Sequence, residues 1–194
     1  MKFDAVIIGG GPAGATAATA LQQAGLHCAL VSGGLSLSEV SLGAFRAAGG
    51  TLLAGTRVCS GTFDSGLLIE VFTDKLGGEP LQAAHFILAT GKYFSRGIAA
   101  DMDRIYEPVF GLDVDFDSDR GTWFSPAFGA RQRFLEFGVA RSGVCALKDG
   151  RRIANLYPVG EVLAGISNAQ GDAIPAIRQS AMEAVEEILK GRNA

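Results

Sequence analysis

The sequence predicts an α/β fold, a parallel sheet with flanking helices and a β-meander. Three observations carry the prediction. Asp4 to Ser32 reads as strand, glycine turn, helix, strand. A third short strand and two alternating strands follow between Thr51 and Thr73. A long helix with one apolar face closes the chain, from Ala173 to Lys190.

The first unit starts with the short β-branched run Ala5 to Ile8, which fits a strand buried on both faces. Gly9-Gly10-Gly11-Pro12-Ala13-Gly14 follows at once and is a G-x-G-x-x-G. The helix from Pro12 to Ala24 is stopped by Gly25, and Cys28 to Val31 completes a βαβ unit. Gly9 suits the tight turn, Gly11 lets backbone approach a diphosphate, and Gly14 lets helix and strand pack closely. The first helical N–H groups lack intrahelical partners, and the helix dipole adds positive charge there. This is a Rossmann-like dinucleotide site in its confirming context. A glycine turn that binds nothing is the plain alternative. The acid expected at the end of the second strand, to bond a ribose hydroxyl, is absent. Ser32 stands there, followed by Gly33 and Gly34. A hydroxyl bonds ribose more weakly than a carboxylate. Any preference for NAD over other dinucleotides loses its support.

Length and composition set limits. The 194 residues suit a single domain, 1–194, with a full core. Net charge is −3, which gives nucleic acid no electrostatic support as a partner. The 3 cysteines, Cys28, Cys59 and Cys145, lie far apart and read as buried packing residues in a reducing compartment. The 2 histidines, His27 and His85, sit inside strand patterns and read as structural, with no metal site. No signal-peptide layout appears, and no apolar run reaches the ~18 residues of a membrane span. The expected location is cytoplasmic, or peripheral at the inner membrane through a partner.

The rest of the chain follows in order. Ser36 to Ala48 is a helix candidate, capped by Ser36 or Ser38, with Leu42, Phe45 and Ala48 inward. Thr51 to Leu53 is the third parallel strand. Thr56 to Phe63 and Leu67 to Thr73 alternate about an Asp64-Ser65-Gly66 turn, and Phe86 to Ala89 is a buried strand. That strand ends in Ala89-Thr90-Gly91, at the carboxyl edge where open α/β sheets bind ligands. Lys92, Tyr93 and Arg96 follow it; placing the loop is their plainer role. Phe128 to Phe137 reads as a short helix with Phe134 and Phe137 inward. Gly143 to Leu147 and Ile153 to Val159 read as strands. Asp172 is the expected N-cap of the last helix, with Pro175 in its first turn.

A βαβ unit, a helix, a third strand, a meander and a strand ending in A-T-G resemble the glutathione-reductase-type FAD domain. That resemblance implies FAD lying extended, with the diphosphate at Gly11 to Gly14, the ribose near Ser32 and Gly33, and the adenine edge on the Val58 backbone. Gly160-Glu161, after Leu156 to Val159, matches the place of a Gly-Asp pair that binds the ribityl chain. A solvated strand-end acid is the other reading of Glu161. Asp172, Ala173 and Ile174 would point the helix dipole at the flavin pyrimidine, where it stabilises negative charge. The cofactor residues are then Gly9, Gly11, Pro12, Ala13, Gly14, Ser32, Gly33, Val58, Ala89, Thr90, Gly91, Gly160, Glu161, Asp172, Ala173 and Ile174. FMN stays open as an alternative.

The sequence also resembles the B subunit of the bacterial anaerobic glycerol-3-phosphate dehydrogenase. FDAVIIGGGPAGATAATALQQAGLHCALVSGG, FILATGKYFSRGIAADMDRIYEPVFGLDV and FGVARSGVCALKDGRRIANLYPVGEVLAG carry the likeness. It covers nearly the whole chain with one gap. The family has a large middle domain where this chain has only Ser36 to Gly50. The likeness implies a flavin-dependent oxidoreductase or an electron-transfer subunit of one. No second G-x-G-x-x-G is present, so electrons would come from a partner protein or a small donor. The alternative is a non-catalytic subunit that keeps the fold and binds a partner. No residue stands out as acid, base or nucleophile. A partner subunit or a second copy would cover apolar residues at Tyr93 to Phe94 and Trp123 to Phe128, although Phe124 and Phe128 also fit a core.

Overall fold

The computed structural model describes residues 1–33, 39–127 and 129–192. Strand β1 (Lys2–Ile8) is the centre of the sheet. It pairs in parallel with β2 (Cys28–Ser32) on one side and β6 (Leu81–Leu88) on the other. Strand β3 (Thr51–Ala54) extends the parallel set beyond β2. The last strand, Leu156–Pro158, runs parallel to the second half of β6. Strands β4 (Val58–Asp64) and β5 (Leu67–Thr73) form the meander. It joins the first half of β6 through Glu70 and Val71. The meander is therefore bonded into the sheet edge as well as folded over a face.

Strand alternation makes two cores, because neighbouring side chains point to opposite faces. Val6 and Ile8 of β1, with Phe86 and Leu88 of β6, face the meander residues Val58, Leu68 and Val71. Ala5, Ile7 and Ile87 face the helices instead. Helix α1 (Pro12–Gln23) is alanine-rich on that face, so it lies close to the sheet. Helix α2 (Glu39–Ala47) buries Leu42 and Phe45 there. The predicted caps Ser36 and Ser38 lie outside the described residues. Helix α3 (Ile174–Arg192) buries Ile177, Ala181, Ala184, Val185 and Ile188 against α1.

Four sequence-based expectations need correction. Cys28 and Cys145 are buried, but Cys59 is exposed. It follows Val58 on β4, and the alternation that buries Val58 turns Cys59 outward. The helix expected over Phe128 to Phe137 is one 3-10 turn, Arg133–Glu136, and Phe128 is outside the described residues. The Gln132 side chain accepts from the Ser125 N–H and donates to the Ala130 carbonyl. The backbone there closes into turns instead of a helical ladder. Trp123, expected on an open face, is buried. Its indole N–H donates to the Asp117 carbonyl, and its ring packs on Phe134 and Phe137. The last helix lacks its expected cap, as the site geometry makes plain.

Among the described residues, no helix is long and apolar enough to cross a membrane.

Candidate functional site

The carboxyl ends of β1 and β6 bring two of the predicted motifs into contact. Gly9 has φ +111°, a conformation open to glycine and strained for other residues. An added Cβ there would fall 2.2 Å from the Ala89 carbonyl oxygen. One on Gly14 would fall 1.9 Å from the Gly9 carbonyl oxygen. These glycines seat α1 against the A-T-G turn. Gly11 is different, because a Cβ there would meet nothing within 4 Å. Gly11 is the N-cap of α1 and has no side-chain cap, and Pro12 opens the helix. The space beside Gly11 at the head of α1 is therefore open. A diphosphate fits that cradle.

In the A-T-G turn, Thr90 Oγ1 is buried with no hydrogen-bond partner among the described residues. A Cβ on Gly97 would lie 2.6 Å from it, so the chain packs back over the turn.

Gly160 and Glu161 join the same end of the sheet. A Cβ on Gly160 would fall 2.7 Å from Ala13 Cβ, and the Gly160 N–H donates to Ser180 Oγ at 2.8 Å. Glu161 Oε1 accepts the Asn168 N–H at 2.8 Å. Asn168 Oδ1 in turn accepts the Ala173 N–H at 3.1 Å, and the Ala173 carbonyl accepts the Ile177 N–H. Ala173 therefore sits at the cap position, and the capping side chain is Asn168, not Asp172. Asp172 turns outward and lines a cleft of about 310 Å³ with Gln132, Leu135, Glu136, Ser167 and Gln170. Ile174 is half-buried at the first position of α3.

Lys92 ties the two walls of that cleft. It is buried, and its Nζ donates to the Leu135 carbonyl at 2.8 Å and the Ile166 carbonyl at 2.6 Å. Burial pulls its ammonium down to about 8, against the opposing pull of Glu161 and Glu136. The loop-placing role expected of Lys92 has this physical form. Tyr93 stacks on Phe134 at 4.2 Å and donates its hydroxyl hydrogen to the Phe134 carbonyl.

The other end of the predicted site is at β2. Ser32 is buried, and its carbonyl accepts the Thr56 N–H at 3.2 Å, which joins β2 to the start of the meander. Val58 is buried two residues on, and Arg57 lies between Thr56 and Val58 with its stem over Gly33. The sequence reading missed Asn168 and Arg57. Asn168 lies six residues before Ile174, too far upstream to read as a cap. Nothing local marks Arg57.

Comparison with known proteins bears on this geometry. The family described as FAD binding domain matches residues 4–66 and 37–171. The B subunit of the anaerobic glycerol-3-phosphate dehydrogenase of Glaesserella parasuis is 35% identical over 154 residues, 75% of this chain and 36% of that protein. The protein of the same name from Aliivibrio fischeri strain MJ11 is 35% identical over 171 residues, 81% of this chain and 38% of its own length. The chain thus spans somewhat over a third of these curated relatives. Among solved structures, thioredoxin reductase of T. acidophilum superposes with TM-score 0.57 at 12% identity, over 100% of this chain and 99% of that one. L-Proline dehydrogenase of P. horikoshii gives TM-score 0.61 at 15% identity, over 100% of this chain and 56% of that one. Both likenesses are of fold.

Proposed function

The chain belongs to the FAD binding domain family and FAD is its cofactor; from that premise we propose that it is the flavin-holding part of an oxidoreductase. Its working role is that of an electron-transfer subunit similar to the B subunit of the anaerobic glycerol-3-phosphate dehydrogenase. The carrying observation is the open cradle at Gly11, at the start of α1 and against the Ala89 carbonyl through Gly9.

When bound, FAD supplies a carrier that takes up electrons from one partner and passes them to another. The residues of the chain do the rest. The N–H groups of the first turn of α1, after Pro12, would hold the diphosphate. Ser32, Gly33 and the Val58 backbone form the adenosine end. Ala89, Thr90 and Gly91 would border the cofactor at the carboxyl end of β6. Glu161, with one carboxylate oxygen accepting the Asn168 N–H, would hold the ribityl chain. The start of α3, where Asn168 Oδ1 accepts the Ala173 N–H, would favour negative charge on the flavin pyrimidine. The cleft beside Asp172 and Gln132 leaves room for the ring end or a small donor.

Electrons would reach this site from a partner protein or a small donor, as the subunit reading implies. Phe94 is 101% exposed and Phe124 61% exposed, and such residues suit a partner subunit or a second copy. The location that follows is cytoplasmic, or at the inner membrane through the partner. Residues 1–194 act as one FAD-binding domain.

A second reading is a non-catalytic subunit. The missing acid at Ser32 and the short Ser36 to Gly50 piece in place of a middle domain favour it. The visible spectrum of the purified protein separates the two. Flavin bands, released as FAD on denaturation, are expected. A colourless protein that FAD cannot reconstitute would overturn the first reading and favour the second.

A further inference from the structure

At the end of β2 a cation stands where a carboxylate is usual in dinucleotide sites. Gly33 follows Ser32 with no side chain of its own. An ideal Cβ on Gly33 would fall 2.2 Å from Arg57 Cγ and 3.1 Å from Arg57 Cδ and Nε. The arginine stem therefore occupies the space that a side chain at position 33 would take. Its backbone is held on both sides. The Arg57 N–H donates to Asp74 Oδ1 at 2.9 Å, and the Asp74 N–H donates to the Arg57 carbonyl at 3.0 Å. The neighbouring Thr56 N–H donates to the Ser32 carbonyl, which ties this backbone to the end of β2.

We propose that Arg57 is the residue that recognises the adenosine half of the cofactor, in place of the absent acid. This rests on the FAD reading given above. A carboxylate accepts hydrogen bonds from ribose hydroxyls. A guanidinium donates to the same oxygens, and its plane also stacks on the adenine face. Gly33 is the structural counterpart, because a larger residue would push the stem off the strand end. Arg57 then confers preference for FAD over FMN, which has no adenosine.

Flavin titration of the apoprotein, followed by fluorescence, tests this with FAD and FMN as probes. Arg57→Met should weaken FAD by about tenfold, the usual scale for one lost charge-assisted contact, and leave FMN within about twofold. Gly33→Ala should shift FAD in the same direction. The double variant should bind FAD no more weakly than Arg57→Met alone. Arg57 is exposed, so the variants should fold, as circular dichroism and the melting midpoint would report. An unchanged FAD affinity in Arg57→Met would overturn the inference and leave the FAD reading standing. Equal losses of FAD and FMN, or additive losses in the double variant, would overturn it too. A wild-type protein that binds neither flavin removes the FAD reading and this inference together.

Discussion

Gly160 packs against Ala13 so closely that a Cβ on the glycine would lie 2.7 Å from the alanine Cβ. Residues 147 positions apart in the chain (160 − 13) thereby place Glu161 beside the start of α1. Gly160 also has φ +74°, so a side chain there is both strained and obstructed. Gly160→Val should destabilise the fold by roughly 2–4 kcal/mol, the sum of overpacking and a left-handed β-branched residue. Chemical denaturation measures it. A loss below about 1 kcal/mol would mean that α1 yields freely and does not fix this corner.

Gly11→Val should act on the ligand and spare the fold. Nothing lies within 4 Å of its added Cβ, and its backbone is not left-handed. The two methyls would fill the cradle at the head of α1. Flavin content of the purified variant should drop by about tenfold or more, because the added methyls take the space through which backbone approaches the diphosphate. A variant that keeps both its flavin and its stability would place the diphosphate elsewhere.

Lys92 should make stability depend on alkaline pH. Its folded value is about 8 and its ordinary value is 10.5. Between these the unfolded chain holds more protons, so stability rises with pH across that window, by at most about 1.4 kcal/mol per unit. Relative to Lys92→Met, the wild-type protein should gain stability from pH 8 to pH 10. A flat difference over that range would show the ammonium to be better solvated than its burial implies.

Phe94→Asp should leave stability within about 0.5 kcal/mol, because the ring is fully exposed. If the exposed aromatics bind a partner subunit or a second copy, the variant should lose that association. The solution mass, with and without candidate partner chains, is the readout. Turnover with an artificial electron acceptor should accompany it. A wild-type monomer that oxidises a small substrate unaided would rule the subunit reading out.

Asn168→Ala should loosen the start of α3. It removes the acceptor for the Ala173 N–H, at a cost of about 1 kcal/mol for a lost helix cap. Amide exchange over residues 173–177 should quicken while the β1 amides stay protected. Unchanged exchange would show that water replaces the cap.

By itself the sequence determined the βαβ unit, the meander strands, the A-T-G strand and the last helix. Each rests on a local pattern: continuous apolar runs in β1 and β6, alternation along the meander, one apolar face on α3, and turn residues at fixed positions. It also specified which glycines meet backbone, since Gly9 and Gly14 are defined by the turn they make. Tertiary structure alone decided what closes the site. Lys92 reaches carbonyls 43 and 74 residues away, and the Arg57 stem lies over Gly33 across two strands. Asn168 displaced Asp172 as the cap because Glu161 holds the loop that carries it. Trp123 went inward because Phe134 and Phe137 were there to receive it. Such contacts follow no period along the chain. They are set by which side chains the packed sheet brings within hydrogen-bond or van der Waals reach.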